Sequence, residues 1–160
     1  MRVFLKYWLP LLVWVCVMFL SSTDLMSAEH TSRFITPILL WLKPGMAPKT
    51  IAAIHVTIRK CAHLGEYAIL ALLLFRAVVS VVNAEWSMWI LSLVVWIGCV
   101  FAATTDEFHQ SFVKSRTASV EDVLIDSSGA FFGVFIGAVF AIRNSKKARR
   151  NLGEVVSARL

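Results

Sequence analysis

Charged residues are scarce in this chain. Asp, Glu, Lys and Arg make up 16% of its 160 residues, whereas soluble domains carry about 25%. Apolar residues make up 58%, and a soluble core of this size could not bury that much apolar surface. These values argue against an ordinary soluble domain and against a disordered chain, and they favour a protein surrounded by lipid.

Cysteine is also rare, and several common functional motifs are missing. The three cysteines fall within or beside apolar stretches, and an odd number of thiols at lipid depth argues against a disulfide framework. The chain contains no glycine-rich nucleotide loop, no internal repeat and no standard zinc-ligand spacing. The remaining functional signal is the placement of its few ionisable residues.

Four apolar stretches each approach the roughly 20 residues that a helix needs to cross about 30 Å of hydrocarbon. They cover about residues 4–20, 62–82, 86–103 and 123–142. The apolar residues 35–42 are too few to cross, so we expect an interfacial or re-entrant segment after the first span. The sequence therefore predicts one domain, residues 1–160, folded as an all-α membrane protein with a bundle of four transmembrane helices.

The first span also has features of a signal peptide. It has a basic start and an apolar middle, and Leu25-Met26-Ser27-Ala28 follows it. Methionine suits the third position before a cleavage site poorly. We therefore expect the first span to be retained in the mature protein.

The basic residues indicate an orientation. With the N-terminus in the cytoplasm, nine of the 16 Lys and Arg residues lie in cytoplasmic segments, and six of these nine lie in residues 143–160. The positive-inside rule favours this arrangement, with both termini cytoplasmic in the plasma membrane. A basic tail beside a final span binds anionic lipid more often than nucleic acid, so we expect no nucleic-acid partner.

The second span carries a polar stripe. Lys60, His63 and Tyr67 follow one another at helical spacing and share one face, with Glu66 at its edge. Arg59 precedes them at the entry to the span. Lys60 and Arg59 are suited to holding an anion such as phosphate.

A second group of polar residues lies where the third span meets water. Asp106 and Gln110 share a face if the helix continues, and Glu107 lies beside them. Arg116 follows in the next loop and is suited to bidentate capture of phosphate or carboxylate. Both the loop and the end of the span are expected on the extracytoplasmic side.

The fourth span continues this pattern with two carboxylates, Asp122 and Asp126, at its outer end. Gly129, Gly133 and Gly137 follow on the same stripe and form a small-residue seam that lets another helix approach closely, within the chain or from a second copy. Close packing would press Asp126 against that helix, where it needs a partner. The candidate partners are Lys60, His63 and Arg116.

Three interpretations of this polar set remain open. Asp106, Glu107, His63 and Asp126 could hold a divalent cation through oxygen and imidazole, although the sequence identifies no particular metal or cofactor. The same four could act as acid and base in catalysis. Alternatively, the acids could simply neutralise Arg59, Lys60 and Arg116 in a structural ion network.

Together these residues resemble the VanZ-like family of small bacterial membrane proteins. The resemblance lies in the run from Arg59 to Tyr67, in the run from Asp106 to Phe112 with Arg116, and in Asp122 and Asp126 with the two following glycines. The ending Ser21-Ser22 of the first span is also similar. A departure lies at Val113-Lys114-Ser115, where the family often has Pro or Gly before the arginine.

The resemblance implies four spans and a link to lower susceptibility to teicoplanin-type glycopeptides, but no established reaction. We expect an extracytoplasmic pocket that engages an anionic cell-envelope component such as a lipid-linked cell-wall precursor. An enzyme acting on a lipid headgroup and a structural or assembly protein are the alternatives. The expected ligand-binding residues are Arg59, Lys60, Glu66, Tyr67, Gln110, Arg116 and Asp122, and the catalytic ones, in an enzyme, are Asp106, Glu107, His63 and Asp126.

Overall fold

The computed structural model describes residues 1–23, 28–82, 86–113 and 118–157. Within its helices, the side chains of residues 28–30, 148–149, 152–153 and 155–157 are not described. The helices are α1 (Leu9–Ser22), α2 (Ala28–Leu42), α3 (Pro48–Val79), α4 (Met88–Gln110) and α5 (Val120–Ser157), and a π-helical turn, Phe4–Trp8, leads directly into α1. No strand occurs in these described ranges.

Four helical segments are long and apolar enough to cross a membrane. They are Phe4–Ser22, Pro48–Val79, Met88–Gln110 and Val120–Lys147. The predicted all-α membrane fold with four spans is therefore confirmed.

The helices extend further than the apolar stretches from which the spans were predicted. α3 begins at Pro48 rather than near residue 62, and its 32 residues measure about 48 Å, well beyond the hydrocarbon thickness. Pro48 occupies the first turn, where its missing N–H costs nothing. α4 continues past residue 103 to Gln110 and so carries Asp106 and Glu107 on a regular helix.

α2 is the segment predicted to stay at the interface. Its 15 residues span only about 22 Å, too short to cross. Phe34, Ile38 and Trp41 are exposed on it, while the Thr36 hydroxyl lies 3.1 Å from His55 Nε2 of α3. One side of α2 thus rests on α3 and another presents apolar groups outward, which suits an interfacial helix.

α3 and α5 pack with their backbones close together along the predicted glycine seam. A Cβ atom at Gly129 would overlap the carbonyl of Leu64, and one at Gly133 would overlap the carbonyl of Ala68. At Gly137 a Cβ would come within 2.8 Å of the Phe75 ring. The seam is therefore used within the chain, and association of two copies through these glycines stays a prediction.

The up-and-down course of the spans separates two ends of the bundle. α1 and α4 finish at the end where α5 begins and where the first half of α3 lies, and we call this the polar end. α1 is tied to α3 near this end by the Trp14 indole N–H, which donates to the carbonyl of Glu66 at 3.0 Å. The polar end gathers residues that are far apart in the sequence.

Candidate functional site

A buried histidine–aspartate pair lies at the polar end between α3 and α5. His63 Nδ1 is 3.1 Å from Asp126 Oδ1, and His63 is 7% and Asp126 0% exposed. The pair forms because Gly129, one turn beyond Asp126, lets α5 approach the backbone of α3 at Leu64. Of the two proposed partners that the structure describes, Lys60 and His63, it is His63 that contacts Asp126.

Glu107 connects the end of α4 to the start of α5. Its side chain is 5% exposed, and its Oε2 accepts the backbone N–H of Ser119 at 2.8 Å. The Ser119 hydroxyl in turn accepts the backbone N–H of Glu121 at 3.1 Å, which caps α5. Glu107 thus fixes the position at which α5 begins.

His63, Glu107 and Asp126 converge, and we call them the buried triad. Each offers one potential metal-ligand atom, and these three atoms lie within 4.8 Å of one another. Glu107 Oε1 and Asp126 Oδ2 are buried and lack hydrogen-bond partners in the described structure. The triad is therefore a candidate metal site, and Asp106, which was grouped with it from the sequence, is not part of it.

A pocket of about 210 Å³ opens beside the triad. His63 is the triad residue that lines it. Its apolar wall comes from α2 and the start of α3, including Ile35, Val56 and Ile58. The polar residues around it are Ser21, Ser22, Thr31, His55, Arg59, His63, Glu66, Asp106 and Gln110.

The acids and amide of the pocket are held by neighbouring side chains. Gln110 Nε2 donates to Asp106 Oδ2 at 2.9 Å across one helical turn, as their spacing predicted. The Ser21 hydroxyl, which is 2.8 Å from the carbonyl of Met18, also lies 3.4 Å from Glu66 Oε2. These bonds orient the polar groups that a ligand in the pocket would meet.

The two neighbouring cations of α3 have different surroundings. Arg59 lines the pocket and is ion-paired with Asp122, with Nη2 3.2 Å from Oδ2, while its Nε is buried without a partner among the described residues. Lys60 pairs with the exposed Glu121 and does not line the pocket. Asp122 acts here as the partner of Arg59, being itself 2% exposed.

For two further predicted site residues, no contribution to the pocket is described. Tyr67 is 1% exposed, belongs to the hydrophobic core and is not among the residues that line the pocket. Arg116 lies outside the described residues. Arg59 is thus the one arginine among the described residues that line the pocket.

Sequence reasoning did not place α1 and α2 in the site. Ser22 has a buried hydroxyl without a partner in the described structure, and Ile35 of α2 and His55 at the start of α3 line the pocket, although neither was among the predicted site residues. The available signals were the Ser21-Ser22 ending of the first span and the helical spacing of His55 with its isoleucine neighbours. Neither shows by itself that these segments fold over the polar end.

The model of one protein family, described as VanZ/LLP1, matches residues 7–141. The match includes every residue of the buried triad and of the pocket. No curated protein and no solved structure matches the chain significantly.

Proposed function

This chain belongs to the VanZ/LLP1 family, and we propose that its pocket binds the anionic headgroup of a cell-envelope lipid or lipid-linked precursor. The observation that carries this proposal is the mixed lining of the pocket. The apolar side chains of Ile35, Val56 and Ile58 line it together with the polar side chains of Arg59 and His63. A site with both surfaces suits an amphiphile, which a membrane presents at high local concentration.

Arg59 is the residue that we assign to the anion. A guanidinium offers five donors, and its bond to Asp122 uses Nη2 only. The buried Nε has no partner among the described residues, and a phosphate oxygen is a suitable acceptor for it. Glu66 and Asp106 on the same pocket would select against a ligand with several negative charges.

Replacing Arg59 tests this assignment. We expect Arg59→Gln to weaken retention of anionic lipid by about tenfold or more, since a charge-assisted hydrogen bond contributes about 1.5–3 kcal/mol. Lipid retained by the detergent-purified protein is measured by native mass spectrometry, with phospholipid and polyprenyl-phosphate-linked probes compared. The two probe classes distinguish a bulk lipid from a lipid-linked precursor.

Lys60→Gln is the matched control, because it removes the adjacent positive charge outside the pocket. It should retain lipid as the unaltered protein does, since Lys60 pairs with exposed Glu121. Equal losses in the two variants would show that bound lipid responds only to surface charge, and would contradict the pocket assignment.

We further propose that the pocket faces the extracytoplasmic side of the plasma membrane, with both termini in the cytoplasm. Single cysteines introduced at the exposed positions 49 and 145 report the two sides, in a background where the native cysteines are replaced. Lys49→Cys should react with a membrane-impermeant thiol reagent in intact cells, and Ser145→Cys only after permeabilisation. The reverse pattern would place the pocket in the cytoplasm.

A hydrolase or transferase acting on a lipid headgroup is the second candidate. The observation favouring it is that His63 lines the pocket while Asp126 orients its ring from behind, an arrangement typical of a general base. Lipid profiles of cells with and without the protein separate the candidates. A changed headgroup supports catalysis, whereas an unchanged profile with altered susceptibility to teicoplanin-type glycopeptides supports binding or assembly.

A further inference from the structure

We propose that His63, Glu107 and Asp126 bind one divalent transition-metal ion, Zn²⁺ or Mn²⁺, at the polar end of the bundle. The three ligands come from three different spans, α3, α4 and α5. The proposal does not depend on the lipid ligand, because it rests on three buried side chains, of which Glu107 and Asp126 are not among the residues that line the pocket.

The separations within the triad suit a metal. His63 Nδ1 and Asp126 Oδ1 are 3.1 Å apart, close to the roughly 3.3 Å between two ligands of a tetrahedral site with bonds of about 2.0 Å. All three potential ligand atoms lie within 4.8 Å of one another.

The unpartnered oxygens provide a second, independent observation. Glu107 Oε1 and Asp126 Oδ2 are buried without hydrogen bonds, and in the described part of the chain neither carboxylate pairs with Lys or Arg. Buried carboxylates are costly unless a charge or a hydrogen bond compensates them. A divalent ion would neutralise both at once.

The donor set narrows the choice of ion. One imidazole nitrogen with two carboxylate oxygens is a mixed set, whereas Ca²⁺ and Mg²⁺ prefer oxygen ligands alone. Zinc accepts His, Asp and Glu in one site, often with three protein ligands and an open fourth position. His63 also lines the pocket, so an ion on the triad would lie next to whatever the pocket holds.

Metal content of the purified full-length chain tests the proposal directly. The protein is prepared in detergent without a histidine tag, treated with chelator, incubated with Zn²⁺ or Mn²⁺ and freed of excess ion. We expect a single tightly held ion per chain by elemental analysis. We also expect a higher unfolding temperature with the ion than without, since an ion that binds only the folded state stabilises it.

Variants identify the ligands. Glu107→Gln should lose both the bound ion and the thermal shift, whereas Glu121→Gln, the same chemical change on an exposed carboxylate, should keep both. His63→Cys should keep Zn²⁺ through its thiolate and lose Mn²⁺, because soft sulfur ligands favour zinc over manganese. This variant keeps the test valid even if Glu107→Gln does not fold.

Two results would overturn the proposal. One is a folded protein that holds neither ion after incubation. The other is equal metal binding by the Glu107→Gln and Glu121→Gln variants. Lipid retention that depends on Arg59 in such a metal-free protein would leave the proposed function standing and reject the metal site alone.

Discussion

Gly133→Leu is expected to prevent stable assembly of the bundle. A Cβ at this position overlaps the carbonyl oxygen of Ala68 and lies 3.0 Å from the Ala71 side chain. The obstacle is backbone of α3, which cannot move aside without separating α3 from α5. We expect a loss of about 3 kcal/mol or more in the free energy of unfolding, at the upper end of overpacking costs. Thermal unfolding in detergent and the amount of inserted protein measure it.

Gly98→Leu is the control for this substitution. Gly98 lies in the middle of α4 and is exposed, and a Cβ atom added there would meet no neighbouring side chain or helix of the described structure within 4 Å. The same change there should leave stability unchanged or raise it by up to about 0.8 kcal/mol, because leucine is a better helix former than glycine. Equal losses at both positions would mean that the seam does not hold α3 and α5 together.

Hydrophobicity and helical periodicity account for most of the fold. Four long apolar runs are enough to predict four spans, since the number of residues needed to cross a bilayer is nearly fixed. Apolar runs do not locate helix ends, because an apolar run marks the part of a helix in lipid and says nothing of the part beyond. α3 therefore began 14 residues earlier than the second apolar run, at Pro48 rather than residue 62.

Helical periodicity also indicated which residues share a helix face, and this was enough to predict His63 as a candidate partner of Asp126. Periodicity could not assign contact partners, since it shows which face of a helix a residue lies on but not which residue of the neighbouring helix it meets. Asp106 and Glu107 are neighbours in sequence, yet Glu107 is buried with the triad while Asp106 bonds Gln110 at the pocket. Adjacent residues on a helix point about 100° apart, so a one-residue difference decided the role.

The contribution of α1 and α2 was not accessible from the sequence. α2 carries Ile35 to the pocket, and α1 carries Ser21 and Ser22. Their positions depend on tertiary contacts such as the hydrogen bond from Thr36 to His55. No local pattern encodes where a short helix folds back over a bundle.

Asp126→Asn is expected to abolish the proposed function while leaving the fold intact. Asparagine has the shape of aspartate and retains a carbonyl oxygen that can accept the hydrogen bond from His63, so the free energy of unfolding should change by about 1 kcal/mol or less. What it removes is the negative charge needed to bind a cation or to orient and stabilise a protonated histidine. The readouts are thermal stability, abundance in the membrane and susceptibility to teicoplanin-type glycopeptides.

The size of the loss in the free energy of unfolding distinguishes a functional role of Asp126 from a purely structural one. If the pair only locks α3 to α5, removing the charge of one buried partner should cost about 3–5 kcal/mol, and activity should fall in step with abundance. Glu121→Gln is the comparison, because it removes a carboxylate from an exposed ion pair that contributes about 1 kcal/mol at most. Suppose that Asp126→Asn is as abundant as the unaltered protein but inactive, and that Glu121→Gln is abundant and active. The Asp126 carboxylate would then be needed for chemistry, since a neutral side chain would serve the fold equally well.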